Sequence, residues 1–207
     1  MEVKLISYLS PREVLSFLSE MGLSLSLEEL MKHISFTFSI SGISRACSHQ
    51  LVRHRMASYT QQSQRYTRIS RLIEEAIIPE SVRLKGYEED YRNFLIECQK
   101  FYESMINAGI PEEDARFILP NATPTNIIVT MTAKNLYHFF GLRCCYRAQW
   151  EIRELADKML IECRRVAPEM FRKAGPYCFQ KGYCEEGKLS CGRIEEVKEK
   201  YSKLGYE

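Results

Sequence analysis

Positive charge is concentrated in one short stretch of the chain. Residues 51–68, LVRHRMASYTQQSQRYTR, contain four Arg and one His but no Asp or Glu. Like charges at neighbouring helical positions repel one another, so this density indicates an anionic ligand. The neutral part of the stretch consists largely of Ser, Thr and Gln, which place hydrogen-bonding groups beside the guanidinium forks. The combination suits a phosphate with a polar heterocycle next to it.

The charged pattern begins upstream of this stretch. Arg45, His49 and Arg53 are spaced i, i+4, i+8, which predicts one stripe on a helix over residues 45–56, and Gln50 borders that stripe. The alternative is a basic helix face in contact with water, because charge runs are usually solvated. Against it, the loop that follows carries Ser, Thr and Gln rather than the Lys and Glu typical of a solubilising face.

Two further arginines and a histidine stand out by their positions. Arg116 is expected at the end of a short helix begun at Pro111, and Arg143 follows a predicted helix break at Gly141, with His138 just before it. Taken singly, such residues are more often structural than functional. The chain contains no GxSxG, GxGxxG or HExxH motif. Many anion-binding groups without an evident acid, base or nucleophile are typical of an enzyme whose cofactor performs the chemistry.

The composition is that of one folded domain. The 207 residues are 45% hydrophobic and 27% charged, with a formal net charge of +2, so we expect a single domain over residues 1–207. A nucleic-acid-binding module is the rival from another class, and the near-neutral charge argues against it. No segment reaches the ~18 apolar residues of a membrane span, and the N-terminus lacks the features of a signal peptide. We therefore expect a cytoplasmic protein with no membrane or nucleic-acid partner.

The eight cysteines are expected to be reduced thiols, because the chain has no export signal. Cys178, Cys184 and Cys191 form the one cluster, with gaps of five and six residues. No nearby His or fourth Cys completes the four-ligand spacing of a zinc site. We expect ordinary thiols on a loop-rich tail and no metal.

Hydrophobic periodicity predicts an α+β fold, a helix-rich single domain with a small, mostly antiparallel sheet. The expected strands are a short N-terminal strand at Val3 and Leu5, residues 35–41 ended by Gly42, and residues 126–132, with an extended segment after Ser58. The expected helices are 11–21, a short helix after the Ser26 capping box, 45–56, 88–108, a short helix from Pro111, 132–140 and 144–166. One apolar face of helix 88–108 is expected to carry Tyr91, Phe94, Leu95, Cys98, Phe101, Tyr102 and Met105.

Three ordered blocks resemble a known family. Arg53-His54-Arg55, seven residues and then Ser63 match the RHR-x7-S signature of the flavin-dependent thymidylate synthases. The block FTFSISGISRACSHQLVRHRMASYTQQSQRYT is similar to the family's central segment. ARFILP and LRCCYRAQWEIRELA resemble its downstream nucleotide-binding segments, so the resemblance covers roughly residues 33–165.

The resemblance implies an activity and an assembly. Members of this family make dTMP from dUMP by reductive methylation, with 5,10-methylenetetrahydrofolate as carbon donor, NADPH as reductant and FAD as hydride carrier. They act as homotetramers whose active sites are built from several subunits. We expect the same reaction, co-substrates and assembly here.

The resemblance also implies which residues hold the ligands. The expected dUMP contacts are Gln50, Arg53, Gln61, Gln62, Ser63, Gln64, Arg65, Arg116 and Arg143. The expected FAD contacts are Arg53, His54, Arg55, Gln61, Thr132, Ala133, Lys134 and His138. Arg143 is the expected catalytic residue, which polarises the uracil ring and favours its ionised form. Ser63 has no His or Asp partner in sequence and is interpreted as a ligand contact rather than a nucleophile.

The sequence departs from the family pattern just before the FTF strand. Members usually carry His-x-Ser-x-x-Glu-His there; in this chain His33 matches the last His, Lys32 replaces the Glu, and no His lies six residues earlier. Two interpretations follow. Either Glu28 or Glu29 and their neighbours complete a remodelled flavin pocket, or the chain is a divergent nucleotide-binding paralog with weak or no synthase activity.

Overall fold

A computed structural model of the chain describes residues 1–206 and gives the bounds of its regular elements. The strands are β1 (Glu2–Tyr8), β2 (Ser35–Ser44), β3 (Ser58–Gln61) and β4 (Pro124–Thr132). The helices are α1 (Pro11–Glu20), α2 (Leu27–His33), α3 (Arg45–Leu51), α4 (Leu72–Glu75), α5 (Glu80–Leu84), α6 (Glu88–Asn107), α7 (Glu112–Ala115), α8 (Ala133–Arg143), α9 (Trp150–Val166), α10 (Pro168–Phe171), α11 (Tyr177–Lys181) and α12 (Ile194–Lys203). No helix among these residues is long and apolar enough to cross a membrane.

The strands form one antiparallel sheet in the order β1-β2-β4-β3. On β2 the apolar residues Phe36, Phe38 and Ile40 are buried, as their alternation with polar residues predicts. The sequence pattern predicted that β2 ends at Gly42, but the strand runs on to Ser44. Gly42 has a positive φ of 68°, a conformation that glycine adopts without strain and that lets the strand continue. The α+β class is confirmed.

The chain divides into two compact units, and the first is built around α6. Unit 1 consists of Met1, Ser41–Gln50 and Thr60–Ile127. Gln99 on α6 donates from Nε2 to the carbonyl of Ile69 (3.0 Å) and accepts from the backbone N–H of Leu72 (3.2 Å). This buried amide fixes the segment that follows the arginine-rich loop.

The second unit contains the remaining residues, Glu2–Ile40, Leu51–Tyr59 and those from Ile128 onward. Its C-terminal helices are held by one buried arginine, Arg164 of α9, which is 1% exposed. The guanidinium donates to the carbonyls of Phe171 (3.2 Å), Ala174 (2.8 Å) and Tyr201 (2.8 Å). A buried charge is tolerated when its N–H groups are satisfied. The C-terminal part of the chain contains three helices, α10 to α12, and Arg164 bonds directly to residues of α10 and α12.

Several predicted boundaries are confirmed by the structure. α1 begins at Pro11 and α6 covers almost all of the predicted helix. The Ser26 capping box is formed, since the Glu29 N–H donates to the Ser26 hydroxyl and the Glu29 carboxylate accepts from the Ser26 N–H. Such reciprocal bonds satisfy two N–H groups that the first turn cannot pair.

Two helix predictions near the arginines were wrong. α3 ends at Leu51 rather than at residue 56, so Arg53 lies in a turn and does not continue a helical stripe with Arg45 and His49. α9 starts at Trp150 rather than at 144, because the Gln149 side chain accepts from two N–H groups of its first turn.

The predicted break at Gly141 was also wrong, because α8 passes through Gly141 and ends at Arg143. A Cβ atom on Gly141 would lie 2.5 Å from a ring carbon of Tyr177. This glycine is therefore explained by close packing against Tyr177 rather than by a helix end.

Gly141→Ala should lower the free energy of unfolding by about 1–3 kcal/mol, because the methyl group displaces the Tyr177 ring. Urea denaturation followed by circular dichroism measures the change. In a Tyr177→Ala background the same substitution should cost little, since the clashing ring is gone. An equal cost in both backgrounds would show that the ring is not the cause.

Candidate active site

The predicted ligand-binding residues fall into two groups, each within one unit. Unit 2 holds Arg53, His54, Arg55, Thr132, Ala133, Lys134, His138 and Arg143, and unit 1 holds Gln50, Gln61, Gln62, Ser63, Gln64, Arg65 and Arg116. The division follows the chain, because residues 51–59 and 60–127 belong to different units.

Most of the unit 2 group lines a cavity of about 480 Å³, which we call the triad cavity after the three consecutive residues Arg53-His54-Arg55. Six of the predicted residues line it: Arg53, His54, Arg55, Lys134, His138 and Arg143. Met56, Met131 and Leu142 add apolar surface, and Asn135 adds an amide. The size is within the usual range of small-molecule sites, and the lining combines cations with apolar side chains.

Arg143 is oriented by a histidine of the predicted signature. Its Nε donates to Nε2 of His54 over 2.9 Å. An arginine can only donate, so Nε2 must accept, and the neutral His54 ring carries its proton on Nδ1. Burial, the charge of Arg143 and the proximity of His138 lower the pKa of His54 from 6.5 to about 4. The ring is therefore neutral at physiological pH, which the hydrogen bond requires.

The turn that carries the signature is anchored from two sides. The Tyr59 hydroxyl lies 2.9 Å from the carbonyl oxygen of Leu51 and 2.8 Å from that of His54. Asn135 on α8 donates from Nδ2 to the carbonyl of Met56 (2.8 Å). Burial raises the pKa of Tyr59 to about 12, so its hydroxyl stays protonated and able to donate. The backbone between α3 and β3 is thus held although it lacks regular structure.

The start of α8 places the remaining unit 2 residues. The Thr132 hydroxyl accepts from the N–H of Asn135 (3.3 Å) and caps the helix, and Ala133 is fully buried. The Nζ atom of Lys134 lies 3.0 Å from a carboxylate oxygen of Glu28 on α2. His138 Nδ1 forms a hydrogen bond with the Tyr177 hydroxyl. Lys134 and His138 line the triad cavity, whereas Thr132 and Ala133 build the helix beneath it.

In unit 1, Gln61 and Gln62 form hydrogen bonds to residues of β4. Gln61 donates from Nε2 to the hydroxyls of Ser48 (3.0 Å) and Thr125 (3.2 Å). Gln62 accepts at Oε1 from Asn126 (3.0 Å), and its N–H donates to the carbonyl of the same residue. These bonds fix the path of the chain up to Ser63, whose hydroxyl accepts from the N–H of Arg65 (3.1 Å).

Beyond Ser63, Arg65 and Arg116 both contact Glu113. Arg65 pairs with the Glu113 carboxylate through Nε (2.8 Å) and a terminal nitrogen (2.7 Å), and Arg116 donates from Nε to the Glu113 carbonyl (3.1 Å). Burial and the charge of Arg116 lower the pKa of Arg45. Two like charges close together favour an anion between them. Gln64 Nε2 is buried without a hydrogen-bond partner among the described residues, a donor that a ligand oxygen could satisfy.

Sequence reasoning did not assign Tyr59 or Asn135 to the site. Tyr59 and Asn135 act on backbone carbonyls, and no spacing rule predicts such contacts. Glu28 was considered only as a substitute in the flavin pocket. Its ion pair with Lys134 places Glu28 beside a predicted flavin contact.

Comparison with known proteins identifies the family. The family described as thymidylate synthase complementing protein matches residues 7–169. A flavin-dependent thymidylate synthase of Geobacter sulfurreducens is 49% identical over 197 residues, which cover 95% of this chain and 84% of the relative. The enzymes of the same name from Pyrococcus furiosus (48% over 185 residues, 86% and 76% covered) and Thermococcus onnurineus (52% over 170 residues, 78% and 69% covered) are also similar. The chain belongs to the flavin-dependent thymidylate synthase family.

The low pKa of His54 predicts a pH-dependent loss of stability. Between about pH 4 and pH 6.5 the unfolded chain binds a proton on His54 that the folded chain does not, so the free energy of unfolding falls as the pH is lowered through this window. For a half-buried ring that solvent partly screens, the loss is about 1–2 kcal/mol.

Urea unfolding at pH 7 and pH 4.5 measures this loss in the parent and in His54→Asn, which can still accept a bond from Arg143. The difference between the two pH values should shrink in His54→Asn but not in the control His33→Gln, at an exposed position on α2. An unchanged pH difference in His54→Asn would contradict the assignment.

Proposed function

We propose that this protein is a thymidylate synthase that converts dUMP to dTMP with FAD, using 5,10-methylenetetrahydrofolate as carbon donor and NADPH as reductant. The observation that carries the proposal is the hydrogen bond from Arg143 to a neutral His54 in a cavity lined by the predicted signature. The family membership supports the same reaction. As in the sequence prediction, we treat residues 1–207 as one functional domain and the protein as cytoplasmic.

The triad cavity fits a flavin dinucleotide by the chemistry of its lining. Arg53, Arg55 and Lys134 are the cations that a diphosphate needs, and Met56 and Met131 offer apolar surface to a flat ring. Bound there, FAD would supply hydride transfer. The chain's own residues bind and orient it: His138 and the first turn of α8 are the expected partners of its polar edges, with Gln61 as a further expected contact.

Arg143 is proposed to act on the uracil ring. Its Nε donates to His54, and the guanidinium held in this way is proposed to meet a carbonyl oxygen of the uracil ring and the ring nitrogen beside it. A fixed positive charge stabilises negative charge that develops on the ring, and no cysteine adduct is needed. Because His54 is neutral, it orients Arg143 without adding a competing charge.

The loop residues of unit 1 are proposed to hold the nucleotide. Ser63 and Arg65 supply a hydroxyl and a guanidinium for the phosphate, with Arg116 as a second cation. Gln64, whose buried Nε2 lacks a partner among the described residues, is proposed to donate to dUMP. Gln50, Arg53, Gln61 and Gln62 complete the expected set.

We propose a homotetramer with active sites at subunit interfaces. On α6, Phe94 and Phe101 belong to the predicted apolar face but are 63% and 55% exposed, and Phe117 is 85% exposed. Exposed aromatic side chains on one unit are typical of a surface that another copy covers. Of the predicted apolar face, Leu95, Cys98 and Tyr102 are buried and Tyr91 and Met105 pack against the same core, whereas the two phenylalanines are exposed.

The altered segment before the FTF strand favours a remodelled flavin pocket over an inactive paralog. Glu29 is used by the capping box, but Glu28 reaches Lys134 at the edge of the triad cavity. A purified protein that cannot be reconstituted with FAD would instead support the paralog.

Arg143→Ala should reduce turnover of dUMP by roughly 10²–10³-fold, because the group that stabilises charge on uracil is lost. The assay measures dTMP formation with FAD, NADPH and methylenetetrahydrofolate, and flavin absorbance with added dUMP reports binding. Arg165→Ala, at an exposed ion pair of α9, is the control and should retain activity. Unaffected turnover in Arg143→Ala would refute the catalytic assignment.

Glu113→Gln should tighten dUMP binding about two- to fivefold, since the carboxylate that competes with phosphate for Arg65 loses its charge. Titration of the flavin spectrum with dUMP gives the dissociation constant. Asp114→Asn removes a neighbouring exposed charge and should have a smaller effect. Weaker binding in Glu113→Gln would mean that Glu113 positions Arg65 for the phosphate instead of competing with it.

A further inference from the structure

Tyr177 connects the C-terminal segment of unit 2 to the triad cavity. It is the first residue of α11 and lies beyond residues 7–169, the part of the chain that matches the family. Its hydroxyl forms a hydrogen bond with Nδ1 of His138 on α8. His138 lines the triad cavity, whereas Tyr177 does not. Tyr177 therefore reaches a ligand in that cavity through the His138 ring.

The close approach of Tyr177 to α8 depends on Gly141. A Cβ atom at Gly141 would lie 2.5 Å from Cε1 of the Tyr177 ring and 2.7 Å from Cζ, the carbon that carries the hydroxyl. His138 and Gly141 are three residues apart on α8 and share one face of the helix. The glycine therefore leaves room for the ring on the face where its hydroxyl meets His138.

Other contacts hold α11 against α8 without using the Tyr177 hydroxyl. Gln180 donates from Nε2 to the carbonyls of Tyr137 (3.0 Å) and Gly175 (2.6 Å). Nζ of Lys181 lies 4.8 Å from the centre of the Tyr177 ring. Because these contacts are independent of the hydroxyl, its removal should leave the helix and the ring in place.

The Tyr177 hydroxyl is the donor in its bond with His138. Burial raises the pKa of Tyr177, so the phenol keeps its proton. Within residues 1–206, Nδ1 of His138 is the one hydrogen-bond partner of that hydroxyl. A neutral imidazole has one accepting and one protonated nitrogen. Nδ1 of His138 therefore accepts, and the proton of the neutral ring lies on Nε2.

Nε2–H of His138 is then a donor that no described residue uses. The side chain is exposed and lines the triad cavity. The centre of the His54 ring lies 6.1 Å from that of His138. His54 already accepts at Nε2 from Arg143 and carries its proton on Nδ1, so it has no acceptor left for His138. Nε2–H is therefore available to a ligand in the cavity.

We propose that Tyr177 is a positioning residue for the flavin site. By donating to Nδ1 of His138, it fixes the tautomer and the orientation of the ring, so that Nε2–H donates to a hydrogen-bond acceptor of bound FAD. This inference rests on the proposed function for the identity of the ligand. The bond between Tyr177 and His138 does not depend on a ligand, so it can be measured separately.

The ¹⁵N resonances of the His138 ring test the bond in the full-length protein freed of flavin. At the alkaline end of a pH titration, we expect a protonated Nε2 and an unprotonated Nδ1. Tyr177→Phe keeps the ring beside Gly141 but removes the hydroxyl, so the Nδ1 resonance should shift toward that of a free ring nitrogen. The matched control is Tyr183→Phe, at an exposed tyrosine, which should cause no shift.

A protonated Nδ1 in the neutral His138 ring of the parent protein would overturn the proposal. An Nδ1 resonance that is the same in the parent and in Tyr177→Phe would overturn it as well. A ring that only fills space beside α8 would leave this resonance unmoved, because Phe fills the same space.

Titration with FAD tests the positioning role. Tyr177→Phe should weaken FAD binding about two- to tenfold, since Nε2–H is no longer held toward its acceptor. In a His138→Ala background the same substitution should have no effect, because Tyr177 acts through His138. Tyr183→Phe should leave the affinity for FAD unchanged. Unchanged affinity in Tyr177→Phe, or an equal loss with and without His138, would refute the positioning role.

The positioning role and the proposed function fail in different ways. A parent protein that binds no FAD would overturn the proposed function and, with it, the flavin role of Tyr177. The Nδ1 resonance would still decide whether Tyr177 orients His138. A parent protein that binds FAD with the affinity of Tyr177→Phe would refute the positioning role alone.

Discussion

The candidate site depends on one hydrogen bond, from Arg143 to the unprotonated nitrogen of His54. The bond exists only while the His54 ring is neutral, and burial, the Arg143 charge and His138 keep it so. It ties the turn after α3 to the last residue of α8, two segments far apart in sequence. A guanidinium fixed in this way pays little reorganisation when charge appears on a bound ring.

The supporting structure keeps the two ends of that bond in place. Tyr59 and Asn135 hold the turn, and the close packing of Gly141 on Tyr177 lets α8 run on to Arg143. Arg164 fixes the C-terminal helices through backbone carbonyls. In unit 1, Gln61 and Gln62 are hydrogen-bonded to β4, and Arg65 and Arg116 contact Glu113.

Much of this could be predicted from the sequence because it is local. The capping box at Ser26, the alternating residues of β2 and the length of α6 follow from short-range periodicity and side-chain chemistry. The RHR-x7-S pattern and the later blocks indicated the family, and six of the predicted residues line one cavity. The remaining features depend on contacts between distant residues. A glycine near a helix end usually indicates a stop, but Gly141 lies inside α8 and packs against Tyr177. Phe94 and Phe101 lie on the predicted apolar face, but they are exposed. Cys145 lines one cavity with Cys178 and Cys184, which are far from it in sequence.

The most direct test is the tautomer of His54 at pH 7, read from the ¹⁵N shifts and two-bond couplings of its ring in the isotopically labelled protein. We predict a neutral ring with the proton on Nδ1 and an unprotonated Nε2, and a change in this pattern when Arg143 is replaced by Ala. A protonated Nε2 in the parent protein, in either the other tautomer or the imidazolium, would contradict it, because Arg143 would then have no acceptor on His54.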